Sequence, residues 1–341
     1  MSIDYAPLAA RARGLALHLC SREQLERWAA LPDPPALGQA MAKDGRLATP
    51  LPAGAGAGDI EQAERRTAAS LLGRLARWAG PDNPVLEAFH AEQDRRSLRA
   101  LVRGAAQGAS PEARLAGLLS TPRLPEAVLA DLAQARSPRE IAMRLLVLGD
   151  AHAEAMAALT ARPRVDLLDV ELALTRVLAE RWRLAAARGD AALREVLRTR
   201  IDLMNAQAAL ELAASPSDFD SASLFIAGGQ ALDSQAYLAA AGAGSSGAAA
   251  AVLARALAGT PLAGLFADTP EALARLEVSA LAHAITVLRR RSRVEPLGSA
   301  PAQHFLARLA AQSIDIRRLA WGLELGVPCS AMRERLVTPW N

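Results

Sequence analysis

Two short stretches of this sequence carry residue types and spacings that could do chemistry. Residues 54–58 read Gly-Ala-Gly-Ala-Gly, the glycine spacing of a phosphate-binding loop, but no Lys-Ser or Lys-Thr pair follows and no strand precedes them. We expect residues 52–58, like residues 242–247, to form a flexible connection, because glycine loses much entropy inside a helix. The His-Ala-Glu run at 152–154 matches half of a zinc deaminase motif, yet Met332 stands where a second cysteine after Cys329 is required.

The other candidate metal ligands are scattered along the chain. The remaining histidines occur singly, at His18, His90, His283 and His304. An isolated histidine is more often a surface or satisfied core residue than a ligand. The two cysteines, Cys20 and Cys329, are far apart and belong to no disulfide framework or zinc motif. We therefore expect no metal, no cofactor and no catalytic residue, which disfavours an enzyme.

The densest basic cluster is Arg-Arg-Arg-Ser-Arg at residues 289–293. Such a cluster could contact RNA, an anionic lipid or an acidic protein. The alternative is a solvated helix end, which we favour because arginine is stabilising at a helix C-terminus and Pro296 soon ends the segment. The whole chain has 39 basic and 36 acidic residues and a net charge of only +3, which does not indicate a nucleic-acid-binding protein.

Three aspartates, Asp94, Asp202 and Asp315, recur in one local pattern. Each is followed by apolar residues four and eight positions later, which form one stripe of a helix. The aspartates lie 108 and 113 residues apart. A carboxylate near a helix start can satisfy free N–H groups or can serve a partner, so structural and binding roles both stay open.

A second landmark recurs with nearly the same period. Residues 19–25, 119–124 and 226–232 each combine an apolar end, a turn and a new helix, at spacings of 101 and 107 residues. Two landmarks with one period indicate a triplicated unit of about a hundred residues. Helix-breaking residues at 107–111 and 215–218 then divide the chain into units 1–110, 111–217 and 218–341.

The composition predicts that these units are all-α. Hydrophobic residues make up 51% of the chain, alanine and leucine dominate them, and aromatic residues reach only 4%. No apolar run is long enough to cross a membrane, so any membrane association should be peripheral. The first residues carry an acid and no basic segment before an apolar core, so we expect no secretory signal and a reducing, cytoplasmic location.

Several of these motifs resemble those of the C-type, also called d-type, subunits of V-type and A-type ATPases. Asp202-Leu203-Met204-Asn205-Ala206 is similar to the Asp-x-x-Asn-Leu pattern that recurs in that family. Residues 313–319 with 332–337 resemble its C-terminal end, where Arg318 replaces the usual asparagine. Residues 226–229 resemble its Gly-Gly turn, and residues 11–15 resemble its start.

The resemblance implies three similar helical units around a pseudo-threefold axis, forming a funnel whose mouth receives the rotor shaft. It also implies a non-catalytic central-stalk protein that couples D-type and F-type shaft subunits to the membrane proteolipid ring during ion transport. A polar socket for the shaft would be formed by seven residues: Asp94, Arg95, Asp202, Asn205, Asp315, Arg317 and Arg318.

Two other functions stay open at this point. A helical-repeat scaffold could bind unrelated proteins, although a repeat of this length is unusually long for a solenoid. An RNA-binding helical protein could use residues 289–293, and its affinity would then fall steeply with salt.

Overall fold

The computed structural model of the chain describes residues 3–80, 82–162, 165–214, 220–266 and 275–340. Over these residues the regular structure is helical and no strand occurs, which confirms the all-α prediction. In chain order, the α-helices of the described residues are α1 (Ala6–Ala16), α2 (Arg22–Trp28), α3 (Pro34–Lys43), α4 (Ala57–Ala79), α5 (Pro84–Ala106), α6 (Pro111–Leu115), α7 (Glu126–Ala133), α8 (Pro138–Val147), α9 (Ala151–Thr160), α10 (Leu167–Arg188), α11 (Ala191–Ala214), α12 (Ser234–Ala241), α13 (Ser246–Ala256), α14 (Leu276–Val294), α15 (Ala300–Glu324) and α16 (Cys329–Glu334). The same described residues include two 3-10 turns, at Ser221–Leu224 and Ala263–Leu265.

Local sequence explains where several helices begin. Four of them start with proline directly after a capping residue: Asp33 before α3, Asn83 before α5, Ser110 before α6 and Ser137 before α8. Each cap side chain accepts a hydrogen bond from a backbone N–H in the first turn. Proline suits the first helical position because its missing N–H has no partner there in any case.

The two glycine-rich stretches are shorter loops than the sequence predicts. Gly58 and Gly247 are each the second residue of a helix, α4 and α13, instead of part of a flexible connection. Side chains fix both helix starts: Asp59 accepts the Gly56 N–H at 3.0 Å, and Ser245 accepts the Ala248 N–H at 3.2 Å. A capped first turn tolerates a glycine that would be costly in a helix interior.

The chain divides into two compact units. One comprises residues 1–81 with 186–341, and the other comprises residues 82–185. The predicted boundary between residues 110 and 111 lies inside the second unit, just before α6 begins. The predicted boundary between 217 and 218 lies outside the described residues. The division into units 1–110, 111–217 and 218–341 and the pseudo-threefold funnel stay predictions.

Among the described residues, contacts along the helices define two antiparallel pairs of long helices, α5 with α10 and α4 with α15. In α5 and α10, Trp182 donates to the Ala88 carbonyl at 3.0 Å, and Glu171 pairs with Arg103 near the other end. The start of α11 is joined to the end of α14 by the ion pair of Glu195 with Arg291. For α15 and α4, three contacts define the antiparallel direction: Glu324 with Ala57, Trp321 with Glu61, and Gln312 with Glu64.

Within the described residues, short helices pack against the long helices in three of the apolar cores. Leu98, Leu101 and Val102 of α5 belong to a core with residues of α7, α8 and α9. Ala206 and Ala209 of α11 belong to a second core with α12 and α13. The third core joins the end of α15 to α2, α3 and α16, so the N-terminal helices pack on the C-terminal long helix.

Glu64 is a buried carboxyl group in the contact between α4 and α15. Its Oε1 accepts hydrogen bonds from Gln312 Nε2 at 3.1 Å and Ser313 Oγ at 3.0 Å. Gln312 in turn accepts the Cys20 N–H at 2.7 Å, which ties the residues before α2 to this contact. Burial raises the pKa of Glu64 from 4.5 to about 7, and the two hydrogen bonds oppose this shift. Near neutral pH the group therefore changes its charge inside the core.

We predict that Glu64→Gln removes part of the pH dependence of stability. The folded-state pKa is raised, so the folded protein holds a proton that the unfolded chain releases between pH 4.5 and about 7. This contribution to the free energy of unfolding is complete below pH 4.5 and is lost as pH rises through 7. Urea unfolding should show the variant more stable by on the order of 2–3 kcal/mol at pH 8, with little difference at pH 4.5. An equal difference at both pH values would contradict this assignment.

Candidate functional site

Asp202 on α11 holds a turn that lies further along the chain. Its Oδ2 accepts the backbone N–H groups of Gln230 and Ala231, each at 2.9 Å, and its Oδ1 accepts that of Leu232 at 3.1 Å. The side chain is buried, and three backbone donors compensate the loss of water around its charge. Asp202 thus fixes the segment that leads into α12.

Asn205 lies one helical turn after Asp202 and binds the same segment. Its Nδ2 donates to the Ile226 carbonyl at 2.8 Å, and its Oδ1 accepts the Ile226 N–H at 2.9 Å. The side-chain amide therefore pairs with both backbone groups of Ile226, and it is buried. Because positions three apart share a helix face, the Asp-x-x-Asn pattern presents both groups to one turn.

The Gly-Gly pair of this turn is required by its close approach to Asp202. Gly228 has a φ of +109°, in a region that L-residues rarely adopt. A Cβ atom on Gly229 would lie 1.9 Å from Asp202 Oδ1. The glycines therefore let the backbone reach the carboxylate.

Asp315 on α15 repeats this arrangement at the C-terminal end of the chain. Its two oxygens accept the N–H groups of Val337 at 2.7 Å and Thr338 at 2.9 Å. Burial raises the pKa of Asp315, and these hydrogen bonds oppose the shift. Arg318 stands three residues later, as Asn205 does after Asp202, and donates to the Arg335 carbonyl at 2.6 Å. This pair holds the residues that follow α16.

Asp94 on α5 holds its turn through side chains. Its Oδ1 accepts the Thr121 hydroxyl at 2.5 Å, and its Oδ2 pairs with Arg181 Nη1 at 2.8 Å. Thr121 also accepts the Leu124 N–H at 3.0 Å, which closes the turn before α7. Asp94 and Arg181 form a buried ion pair, a kind of contact in which loss of one partner leaves an uncompensated charge.

The three aspartates therefore share one structural relation, which we call the carboxylate clamp: a buried carboxylate on a long helix holds a turn 22 to 30 residues further along the chain. The sequence pattern predicted the three aspartates and two of the turns that they hold, at 119–124 and 226–232. It did not predict that each aspartate contacts its turn. The third turn is at 337–338. Residues 19–25 are bound by Gln312 instead.

A model of the ATP synthase (C/AC39) subunit family matches residues 8–335 of the chain. The chain belongs to this family. This match confirms the resemblance to V-type and A-type ATPase subunits that the motifs indicated. As a member of the C/AC39 family, the chain is a subunit of an ion-transporting rotary ATPase. No curated protein matches the sequence closely enough to be counted as a relative.

The remaining residues of the predicted socket differ in exposure within the C/AC39-family chain. Arg317 is exposed on α15. Arg95 is partly buried and bonds to Glu92 at 3.3 Å, and Arg318 is partly buried against the Arg335 carbonyl. Of the seven predicted residues, Arg317 is thus the one whose side chain is exposed, while the three aspartates and Asn205 are buried. Whether they contact a shaft subunit stays a prediction.

Sequence reasoning missed Arg181, the partner of Asp94. The signal was present, because Leu174, Leu178, Arg181, Trp182 and Ala185 occupy one helical stripe and all are buried. A charged residue at a stripe position needs a partner of opposite charge. Glu64 occupies such a position in α4, between Ile60 and Ala68.

The stretches that first suggested chemistry have structural partners. His152 is buried, and its Nδ1 lies 2.7 Å from Asp150 Oδ1, the cap of α9. Residues 54–56 lead into α4, and the Ala57 N–H at the start of that helix donates to Glu324 of the same chain at 3.2 Å. No group of three or more potential metal ligands lies together within the described ranges.

We predict that Gly229→Ala destabilises the protein because the new methyl group would displace Asp202. The expected loss is about 3 kcal/mol in the free energy of unfolding, measured by urea denaturation. The matched control is Gly14→Ala, since Gly14 is exposed in α1 and a Cβ there meets no atom within 4 Å. That change should be neutral or stabilising by up to about 1 kcal/mol. Equal stability of the two variants would rule out the close contact.

Proposed function

We propose that this member of the C/AC39 family couples the rotor shaft of its ATPase to the membrane proteolipid ring and catalyses no reaction itself. The carboxylate clamps carry this proposal. Each clamp locks a turn onto a long helix by buried hydrogen bonds, and such satisfied polar contacts resist rearrangement because breaking them leaves buried groups unpaired. A protein that transmits torque needs this stiffness more than it needs a reactive group.

The proposed partners are shaft subunits of the D and F types on one side and the proteolipid ring on the other. None of the helices in the described part of the chain combines the length and the apolar composition that a bilayer-crossing helix needs. We therefore propose a peripheral position on the cytoplasmic side, reached through the ring. The hydrolysis or synthesis of ATP would take place in other subunits.

We propose that the predicted socket works through two classes of residue. The buried Asp94, Asp202 and Asp315 set the positions of the turns, and the exposed Arg317 is available to an acidic group of a shaft subunit. An exposed charge mainly changes the rate of association with a partner and the contacts at the rim of the interface, whereas a buried carboxylate mainly changes the free energy of unfolding.

The coupling role predicts which proteins accompany the chain. A pull-down of the tagged full chain from detergent-solubilised membranes of its own source should recover shaft subunits and proteolipid, identified by mass spectrometry. Recovery of only RNA or of unrelated soluble proteins would contradict the coupling role and would favour the RNA-binding or scaffold function.

The two classes of socket residue predict two different variant phenotypes. Arg317→Glu should weaken binding of the purified shaft subunits by about tenfold, with the free energy of unfolding unchanged within about 0.5 kcal/mol. Asp202→Ala should lower the free energy of unfolding by about 3 kcal/mol, because it leaves backbone donors unpaired. Affinity is measured by biolayer interferometry and stability by urea denaturation. If Arg317→Glu leaves the affinity for the shaft subunits unchanged, Arg317 does not belong to the socket. If Asp202→Ala leaves both the affinity and the free energy of unfolding unchanged, Asp202 does not belong to it either.

A further inference from the structure

A cavity of about 420 Å³ lies between α1, the end of α14 and the start of α15. Three arginines line it: Arg13 from α1, and Arg289 and Arg293 from α14. His304 of α15 lines it as well. No aspartate or glutamate is among the described residues that line it. The cavity, which we call the arginine pocket, is therefore strongly positive, and its volume is in the range of small-molecule sites.

The basic residues of the pocket are not neutralised by nearby acids. Arg291, whose side chain does not line the pocket, pairs with both Glu195 and Glu295. At the C-terminal end of α14, the two glutamates therefore pair with Arg291 and not with the arginines that line the pocket. Arg289 and Arg293 lie on the pocket side, and among the described residues neither forms an ion pair.

Burial is the main reason why His304 carries no charge beside the arginines of the pocket. Its pKa is lowered to about 4 by burial and, further, by the charges of Arg308 and Arg289. The imidazole is therefore neutral near pH 7. Its Nε2 is buried and has no hydrogen-bond partner within the described part of the chain. Because this nitrogen is shielded from solvent, the charged donors offered to a ligand in the pocket are those of the arginines.

Two of the arginines are held in place by the protein and still have donors to spare. Arg13 donates to the carbonyls of Ser292 at 3.2 Å and Pro296 at 2.9 Å. Arg289 donates to the Trp340 carbonyl at 3.0 Å. A guanidinium group has five N–H donors, so these contacts orient the group without exhausting it. Positioned guanidinium groups bind phosphate oxygens by paired, charge-assisted hydrogen bonds.

Helix dipoles do not decide the sign of the pocket. The last turn of α14 contributes its negative end, and the first turn of α15, through Pro301, contributes its positive end. The two effects oppose each other. The arginine side chains therefore set the charge of the pocket. If these arginines only capped the C-terminus of α14, the contacts of Arg13 with backbone carbonyls would be enough, and the side chain of Arg293 would have no role.

Exposed apolar side chains flank the pocket. Leu17 is 81% exposed, Val294 is 80% exposed and Leu297 is 65% exposed. Each is the chain neighbour of a pocket-lining residue: Ala16, Arg293 and Pro296, respectively. Basic residues next to exposed aliphatic side chains are typical of surfaces that meet the headgroup region of an anionic bilayer.

We propose that the arginine pocket binds a phosphate group, carried either by a phospholipid headgroup or by a soluble phosphorylated molecule. The arginines contact the phosphate oxygens, and the flanking aliphatic residues favour the lipid as its source. This site is separate from the carboxylate clamps, and it does not depend on the coupling role.

The test compares two single substitutions that remove the same charge from the same helix. Arg293→Gln changes a pocket residue, and Arg290→Gln changes an exposed neighbour outside the pocket. Binding of the purified full chain is measured in two arms. One uses phosphatidylcholine vesicles with and without phosphatidic acid, in a flotation assay, and the other uses inorganic pyrophosphate, in calorimetry. Thermal unfolding followed by circular dichroism checks that both variants fold.

We expect binding in the phosphatidic acid arm, weakened about tenfold by Arg293→Gln and at most about twofold by Arg290→Gln. The same pattern with pyrophosphate alone would support the pocket and assign it a soluble ligand. Absence of binding in both arms would overturn the proposal. Equal losses in the two variants would also overturn it, since they would show a general charge effect without a pocket.

Discussion

The arrangement of the helices depends on one kind of contact, in which a buried carboxylate accepts hydrogen bonds from a turn that lies 22 to 30 residues further along the chain. Asp202 and Asp315 do this with backbone donors, and Asp94 does it with Thr121 and Arg181. In each case the aspartate lies on a long helix beside an apolar core that the short helices complete. The clamp thus determines where the chain turns back, and the apolar core can close only when that turn is in place.

Each clamp is stabilising only as a complete set. Burying a carboxylate without donors costs several kcal/mol, so the cost is offset only when every oxygen finds a partner. This requirement explains details that composition does not reveal, such as the glycine pair opposite Asp202 and the charged Arg181 on an otherwise apolar stripe of α10. It also makes the turns specific, because a shifted register would leave buried N–H groups without acceptors.

The need to pair every buried carboxylate also divides the polar residues into two groups, those that stabilise the fold and those that a partner can contact. Clamp carboxylates are buried and occupied by donors of their own chain, whereas Arg317 and the residues around the arginine pocket are at the surface. A stiff interior with charged and apolar contact points outside it suits a member of the C/AC39 family, whose place is within a larger rotary complex. Glu64 is another buried carboxyl group with donors of its own chain, and its pKa, raised to about 7, lets the contact between α4 and α15 respond to pH.

The helical class, the recurring aspartates, the Gly-Gly turn and the family could all be predicted from the sequence, because helix periodicity and short motifs depend on residues close together in the chain. The folded chain was needed to show that Asp202 meets residues 230–232, that Arg181 balances Asp94, and that α2 and α3 pack on α15. An apolar stripe shows that a helix face is covered but not by which helix, since several alanine- and leucine-rich faces are chemically equivalent. The choice among them was made by the few buried polar groups, whose partners lie tens to hundreds of residues away and can be identified only once the chain is folded.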